Sequence, residues 1–373
     1  MGYGYLSGHH SMALDERRNS AYQRALAKVV GPETVVLDLG AGLGVHGLLA
    51  AQLGAKRVCL VEPENVGLLG LEAARSNGLA DGVELLQGKI EDVDVPERVD
   101  VITAAFTGNF LLEEDLLPSL FLARDRFLNP GGKLIPDQAV MEAVPVSAPE
   151  LHEREIASWP KSSLDLDFSS ARRYASNAIY YERDRLERAR YLSKPMDLLS
   201  LDLTTASNTE CRAEATYTID ESGVCHGWAG WFRMRLGSEW LSTAPHEPPV
   251  HWSPAFLPVD PPIAVKKGDQ LRFRLVRPPF GPWSWFVESG QSEQRHSTLF
   301  AGPLPAAALA KMSPHYRPGI NDEGEAARFV LSQVNGDRSI RDLTDALSEQ
   351  FPALFADPGE YLSFVRKVVK QYD

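Results

Sequence analysis

Cysteine is scarce in this chain of 373 residues. The three, Cys59, Cys211 and Cys225, are an odd number and form no C-x-x-C pair. A disulfide framework or a structural zinc site is therefore not expected, and a reducing, cytoplasmic location is. No run of about 18 apolar residues occurs, so no membrane-spanning helix is expected. The opening stretch, MGYGYLSGHH, lacks a basic segment followed by an apolar one, so it does not read as a signal peptide. Basic residues are also short, 38 against 50 acidic ones, for a net charge of -12. A non-specific nucleic-acid footprint needs the opposite balance, so neither nucleic acid nor membrane is the expected partner. What remains is an ordinary globular composition, 44% hydrophobic, on a chain long enough for two or three domains.

Four short apolar runs rich in Val, Leu and Ile lie in the first third. They begin at Thr34, Arg57, Val83 and Val99, and none alternates cleanly, as expected of strands buried on both faces. Helical patterns from Gly44 to Leu53, Val66 to Asn77 and Leu116 to Leu128 lie between and after them. Strand–helix repetition of this kind predicts an α/β, doubly wound, mostly parallel sheet. The breaker cluster Asn129-Pro-Gly-Gly ends the last helix, and a new strand starts near Lys133. After about Ala139, runs such as Gly227 to Arg235 and Gln270 to Val276 alternate, which predicts antiparallel β-structure in a barrel or sandwich. An insertion rich in Arg, Tyr and Glu, residues 169–194, reads as helical. From about Ala306 three helical patterns follow, Gly324 to Leu331, Ile340 to Phe351 and Glu360 to Gln371. The expected organisation is a sheet domain over 1–138, a β-barrel domain over 139–303 and a small helical domain over 304–373.

The candidate site begins at Asp38-Leu-Gly-Ala-Gly-Leu-Gly, between the first strand and first helix, where glycines allow a ligand close approach to the backbone. The second strand ends about 20 residues later in Glu62, where an acid accepts both hydroxyls of a ribose. The third ends near Ile90-Glu91-Asp92, at the same carboxyl edge. Spacing alone leaves NAD and S-adenosylmethionine in competition. The G-x-G-x-G order preceded by Asp38 favours S-adenosylmethionine. His9-His10 has no spaced third ligand and reads as polar surface, so no metal is expected.

Over roughly residues 5–290 the sequence resembles the protein arginine methyltransferases, which are class I S-adenosylmethionine-dependent methyltransferases. The resemblance rests on Met12 to Tyr22, VLDLGAGLG, VEPENV, QGKIEDVDVP, ARDRFLNPGGKLIPD and Val250-His-Trp252. It implies a methyltransferase (Rossmann-like) sheet followed by a β-barrel with an inserted helical dimerisation arm, here about 169–194, and hence a homodimer. It also implies that Arg18 binds the cofactor carboxylate and that His9 lies close to the cofactor. Asp38, Gly40, Gly42 and Gly44 should line its methionine part, Glu62 should take the ribose hydroxyls, and Ile90 and Glu91 should contact the adenine. Asp15 and His251 match a pair that meets across the two domains beside the acceptor, either as catalytic groups or as an interdomain hydrogen bond.

In that family the loop after the fourth strand carries two glutamates nine residues apart, which grip a guanidinium bidentately. Aligned on Gly108 and Leu111, the second is Glu114 and the first falls on Ala105. One jaw of the clamp is absent. The expected activity is thus methyl transfer to an acceptor other than arginine, a nitrogen on a peptide or peptide-derived small molecule, with Glu114, His251 and Asp15 as the catalytic group. The alternatives are genuine arginine N-methylation and a non-catalytic cofactor- or peptide-binding protein. The C-terminal segment, from Pro318-Gly-Ile-Asn-Asp-Glu-Gly through Phe329 to Leu343, resembles PqqD-like modules, which implies capture of a precursor peptide. From Lys311 onward eight basic residues face ten acidic ones, which disfavours a DNA-reading role.

Overall fold

The computed structural model describes residues 6–160, 166–290 and 292–372. Contacts divide the chain into two compact units, Met1–Pro303 and Leu304–Asp373.

The first unit opens with two helices, α1 (Leu6–Ala13) and α2 (Glu16–Leu26), and continues into a five-stranded parallel sheet. Its strands are β1 (Val35–Leu39), β2 (Arg57–Glu62), β3 (Val83–Gln87), β4 (Val99–Ala104) and β5 (Leu128–Ile135), in the order β3-β2-β1-β4-β5. The helices between them are α3 (Val45–Gln52), α4 (Gly67–Ser76) and α5 (Leu117–Phe127). All five residues of β1 are buried, and Val36, Leu37, Val58, Cys59 and Leu60 are fully so, which explains the unbroken apolar runs. Because β1 sits between β2 and β4, the strand order reverses there. Sheets of this kind open a crevice at the carboxyl ends of such strands.

The cluster Asn129 to Gly132 does not form a loop. It lies inside β5, where the ladder to β4 jumps from Val99–Leu128 to Val101–Lys133 and Gly131 takes φ +80°. A wide bulge absorbs the residues that look like breakers in sequence.

The second half of this unit is antiparallel. A four-stranded sheet contains Cys211–Thr218 paired with Gln270–Arg277, and a larger sheet is built on Gln138–Ser147, Gly223–Leu236 and Ala255–Val265. Cys211–Thr218 alternates strictly between buried and exposed positions, as a strand with one wet face must. Gly223–Leu236 does not, despite its alternating sequence. Trp228 and Phe232 enter the main core, while Ala229 and Trp231 pack with Leu151 and Ile156 from the segment before the insertion and with Leu186 from within it.

The segment 169–194 is less helical than its composition predicts. It holds two single-turn helices, Arg172–Ala175 and Asp184–Glu187, and two strand pairs, Tyr180–Tyr181 against the Ala255 strand and Arg190–Tyr191 against the Gln138 strand. Aromatic pairs at Tyr180 and Tyr191 suit a sheet edge better than a helix face. Leu186, Tyr180 and Tyr191 pack into their own chain. Arg183 fixes the segment by donating to the carbonyls of Thr243, Ala244, Pro245 and Glu247.

The second unit holds helices Ala306–Lys311, Asp322–Gln333, Ile340–Gln350 and Pro358–Tyr372. The last three bury Ala326, Val330, Leu343, Leu347, Tyr361, Val365 and Val368 between them. Ser339 and Asp342 form a capping box at the start of Ile340–Gln350. Among the described residues no helix is long and apolar enough to cross a membrane.

Candidate active site

A cavity of about 610 Å³ opens at the carboxyl edge of the parallel sheet. Its size suits a nucleoside-bearing ligand. Of the residues expected from sequence, His9, Arg18, Asp38, Gly40, Gly42, Glu62, Ile90, Glu91 and His251 line it. Gly44 lies outside the lining and begins α3 in a left-handed conformation, φ +74°.

The glycine loop serves the protein's own packing as well as an open cavity. A side chain on Gly40 would sit 2.6 Å from the Phe106 ring, and one on Gly42 would sit 2.9 Å from His9 Nδ1. Both residues also take positive φ, so glycine is required twice over. Asp38 accepts from Gly47 N–H at 2.7 Å and so anchors the first turn of α3. Burial, reinforced by the nearby Glu62 carboxylate, pushes its carboxyl up to about 7.

Glu62 ends β2 and is held rigidly. Its Oε2 accepts from Gly42 N–H at 2.8 Å and its Oε1 from Glu64 N–H at 3.0 Å. Each carboxylate oxygen retains acceptor capacity, so the group is oriented in advance for a pair of hydroxyls. Glu91 Oε1 accepts from Ser119 Oγ at 2.5 Å, which steadies the adjoining wall.

Arg18 lies on α2, one turn after Asp15, which caps that helix by accepting from Arg18 N–H at 2.9 Å. The guanidinium is 4% exposed. It donates to Met12 O at 2.6 Å and to Asn19 Oδ1, and its Nη1 stands 3.5 Å from His251 Nδ1. No carboxylate among the described residues forms an ion pair with it. A buried guanidinium whose hydrogen bonds go only to neutral acceptors, with Asp15 and Asp38 near but not paired to it, is the complement of an anionic ligand group.

Asp15 and His251 meet, 236 residues apart in sequence. Asp15 Oδ2 accepts from His251 N–H at 2.8 Å and lies 3.2 Å from His251 Nδ1. Burial and the neighbouring Arg18 charge lower the His251 pKa despite Asp15, so the imidazole is neutral at pH 7. At Asp15 burial opposes ionisation, but the bonds from His251 and the backbone outweigh it and keep the carboxyl low.

The loop after β4 folds back on itself. Gly108 bridges to Leu111, and Phe110 and Leu111 both take positive φ, uncommon for bulky residues and characteristic of functional sites. Ala105, Phe106 and Thr107 line the cavity. Glu114 does not; it is exposed at the far end, its backbone and side chain packed over Gly108. Glu113 accepts from Trp283 Nε1 at 2.7 Å. Asp115 forms a two-pronged pair with Arg277 at 2.8 and 2.6 Å and accepts from Phe280 N–H, which ties the loop to the barrel.

Among the lining residues that the sequence did not single out, two carry a buried polar atom. His46 follows the glycine loop directly, and Thr107 follows Ala105; His46 Nε2 and Thr107 Oγ1 are both buried without a hydrogen-bond partner. Neither carries a sequence signal that separates it from a histidine or threonine packed in a core. Among the described residues no cluster of three or more His, Cys, Asp or Glu side chains is arranged to hold a metal ion.

Comparison with known proteins gives the same assignment from both halves of the unit. Residues 36–132 match the model for a methyltransferase domain, and residues 137–279 the model for the arginine methyltransferase oligomerization subdomain. Protein arginine N-methyltransferase 6 of Xenopus tropicalis is 30% identical over 281 residues, which cover 72% of this chain and 83% of that protein. Histone-arginine methyltransferase CARMER of Anopheles gambiae is 31% identical over 290 residues, 74% of this chain but only 46% of that longer protein. The Trypanosoma brucei PRMT1 enzyme–prozyme heterotetrameric complex with AdoHcy superposes with a TM-score of 0.73 at 25% identity, over 79% of this chain and 99% of that one. With Gly40, Gly42, Glu62, Arg18 and His251 lining one cavity, and Asp15 behind it bonded to His251, the chain belongs to the protein arginine methyltransferase family of S-adenosylmethionine-dependent enzymes.

Proposed function

We propose that this enzyme methylates a nitrogen other than the guanidinium of arginine, on a peptide or a peptide-derived small molecule. The observation that carries this is the wall formed by the loop after β4. It presents Ala105, Phe106 and Thr107 to the cavity and no carboxylate. A guanidinium entering there would lose the two-sided ionic grip that its delocalised charge calls for.

S-Adenosylmethionine supplies an electrophilic methyl group on sulfur. Arg18 and Glu62 would hold its carboxylate and ribose, with Ile90 and Glu91 along the adenine and His9 above the glycine loop. The chain's own task is mainly alignment of acceptor and methyl group. The Asp15–His251 pair would take the proton. With Nδ1–H directed at Asp15, the second imidazole nitrogen is free to accept a proton from the acceptor. Glu114 would orient the acceptor from the rim rather than from inside the cavity.

In this reading residues 1–138 carry the cofactor, 139–303 complete the acceptor site, and 304–373 act as a PqqD-like module that captures the peptide. The three-helix core of the last segment and its acidic balance support peptide rather than DNA binding. A homodimer is supported by the oligomerization-subdomain match and by exposed Trp159, Leu166 and Phe168 just before the barrel insertion. Three buried free cysteines suit the cytoplasm.

The test offers radiolabelled S-adenosylmethionine with peptides bearing arginine, lysine, histidine or a free N-terminus. Label on any nitrogen but that of arginine supports the reading; efficient arginine labelling overturns it. That second outcome is favoured by the relatives' names alone, and it would leave the cofactor assignment intact.

A further inference from the structure

We propose that His46 is a further cofactor-binding residue, its Nε2–H donating to the carboxylate of the cofactor's amino-acid end beside Arg18; this rests on the S-adenosylmethionine reading above. His46 is the second residue of α3, directly behind the glycine loop, and lines the same cavity as Arg18. It is 5% exposed, and its Nε2 is buried with no protein partner. Buried polar atoms are almost always paired, so an orphan just behind the cavity surface, on a residue that lines it, points to the ligand as the partner.

The plane of the ring is held in place. It lies parallel to Tyr22, 4.0 Å between centroids and 7° between planes. Tyr22 is itself fixed, its hydroxyl donating to Ala104 O at 2.9 Å. The stack restricts the imidazole to that plane, which limits the motion of a group that must meet a ligand. Packing alone gives no reason for a histidine here, since its helix neighbours Val45, Leu48 and Leu49 are aliphatic.

The electrostatics select a carboxylate over an ammonium. Arg18 brings a buried positive charge without an ion pair, and the N-terminal turn of α3 adds partial positive charge at the same wall. Burial first, and the Arg18 charge second, lower the His46 pKa well below its ordinary value and hold it neutral. It therefore offers a hydrogen-bond donor without adding a second cation beside Arg18. An ammonium group would meet repulsion from Arg18 at this position.

Calorimetry on the full chain tests the assignment with two ligands. One is S-adenosylhomocysteine; the other is its decarboxylated form, which keeps the amine and lacks the carboxylate. His46→Leu is expected to weaken S-adenosylhomocysteine binding about tenfold or more and to leave the decarboxylated ligand within about twofold of wild type. Arg18→Lys should show the same selectivity, which fixes where the carboxylate lies. His46→Gln, which keeps a donor, should recover part of the affinity, and this arm stands even where the leucine variant folds poorly. Equal weakening of both ligands would reduce His46 to a packing residue and overturn the proposal. So would unchanged S-adenosylhomocysteine affinity in His46→Leu alongside a clear loss in Arg18→Lys. Wild-type protein that binds neither ligand would refute the cofactor reading itself, and this inference with it.

Discussion

Asp115→Asn removes one charge from the contact that ties the acceptor loop to the barrel. Arg277 approaches Asp115 with both terminal nitrogens, at 2.8 and 2.6 Å, and its side chain is 4% exposed against 19% for Asp115. The same carboxylate accepts from Phe280 N–H at 3.1 Å. The neutral amide would leave the Arg277 cation buried, with its Nε already lacking a partner. Breaking a buried pair from one side costs about 3–5 kcal/mol. For a cooperative unit of roughly 300 residues, the unfolding entropy converts that into a Tm lower by about 5–8 °C. Differential scanning calorimetry reads the shift. Replacing both partners, with Asp115→Leu and Arg277→Met, should recover most of it, because no orphan charge remains. The pH dependence has a fixed sign. Burial works against the Asp115 carboxylate, but the Arg277 bonds outweigh it and hold its pKa below the ordinary value. Its stabilisation is therefore full above the unfolded carboxyl pKa, about 3.9, and disappears as pH falls through the lower folded value. A single-variant shift under about 2 °C would refute the reasoning.

Glu62→Gln keeps the shape and weakens S-adenosylhomocysteine binding by about 1.5–3 kcal/mol through loss of charge-assisted bonds to the ribose; unchanged affinity in calorimetry would remove Glu62 from the site. His251 is held below its ordinary pKa by burial and by Arg18, so it favours the neutral form in the folded chain. Its contribution to stability is present above about pH 6.5 and lost as pH falls through the lower folded pKa, and the acid limb of kcat/KM should likewise lie below about pH 6.5; an acid limb above that value would dissociate His251 from the proton step. Trp159→Ala combined with Phe168→Ala should convert the proposed dimer into monomer in light scattering at micromolar concentration, while a dimer that persists would place the interface elsewhere.

The parallel sheet was legible because buried strands leave an unmistakable mark, and the acids at their ends, Asp38 and Glu62, stand where the chain turns into the cavity. Gln270–Arg277 was legible for the opposite reason, one wet face and one dry one. Where a second layer covers the sheet the pattern fails, as at Gly223–Leu236, whose outer face is covered by the insertion and the segment before it. The insertion itself misled because its charged, Tyr-rich composition suits a helix and a sheet edge alike, and only pairing with the barrel decides between them. Arg277 and Asp115 are 162 residues apart and carry no local signal of each other. His46 looks in sequence like any histidine on an apolar helix face; only the orphan Nε2 just behind the cavity surface sets it apart. The orientation of Glu114 was hidden because it depends on Phe110 and Leu111 taking left-handed conformations that their residue types do not favour.

That orientation sharpens what Ala105→Glu will do. Were the missing glutamate the sole obstacle to arginine methylation, restoring it would complete the clamp. In this fold Ala105 lines the cavity and Glu114 is exposed outside it, so the two positions do not face a common guanidinium. A carboxylate at 105 would enter beside Phe106, whose ring rests on Gly40, and would bring a charge into the space proposed for the acceptor. The native reaction should therefore fall, by more than about a hundredfold if a lone buried charge costs about 3–5 kcal/mol. Arginine peptides should remain poor substrates of the variant, because a clamp must be held to within about 0.5 Å by a supporting shell and this loop holds Glu114 over Gly108 instead. The wild-type chain should methylate arginine peptides at least about a hundredfold more slowly than its own acceptor. Single-turnover assays with both proteins decide the matter. Efficient arginine methylation gained by Ala105→Glu would show that Glu114 swings inward on binding, and efficient arginine methylation by the wild type would show that one carboxylate suffices.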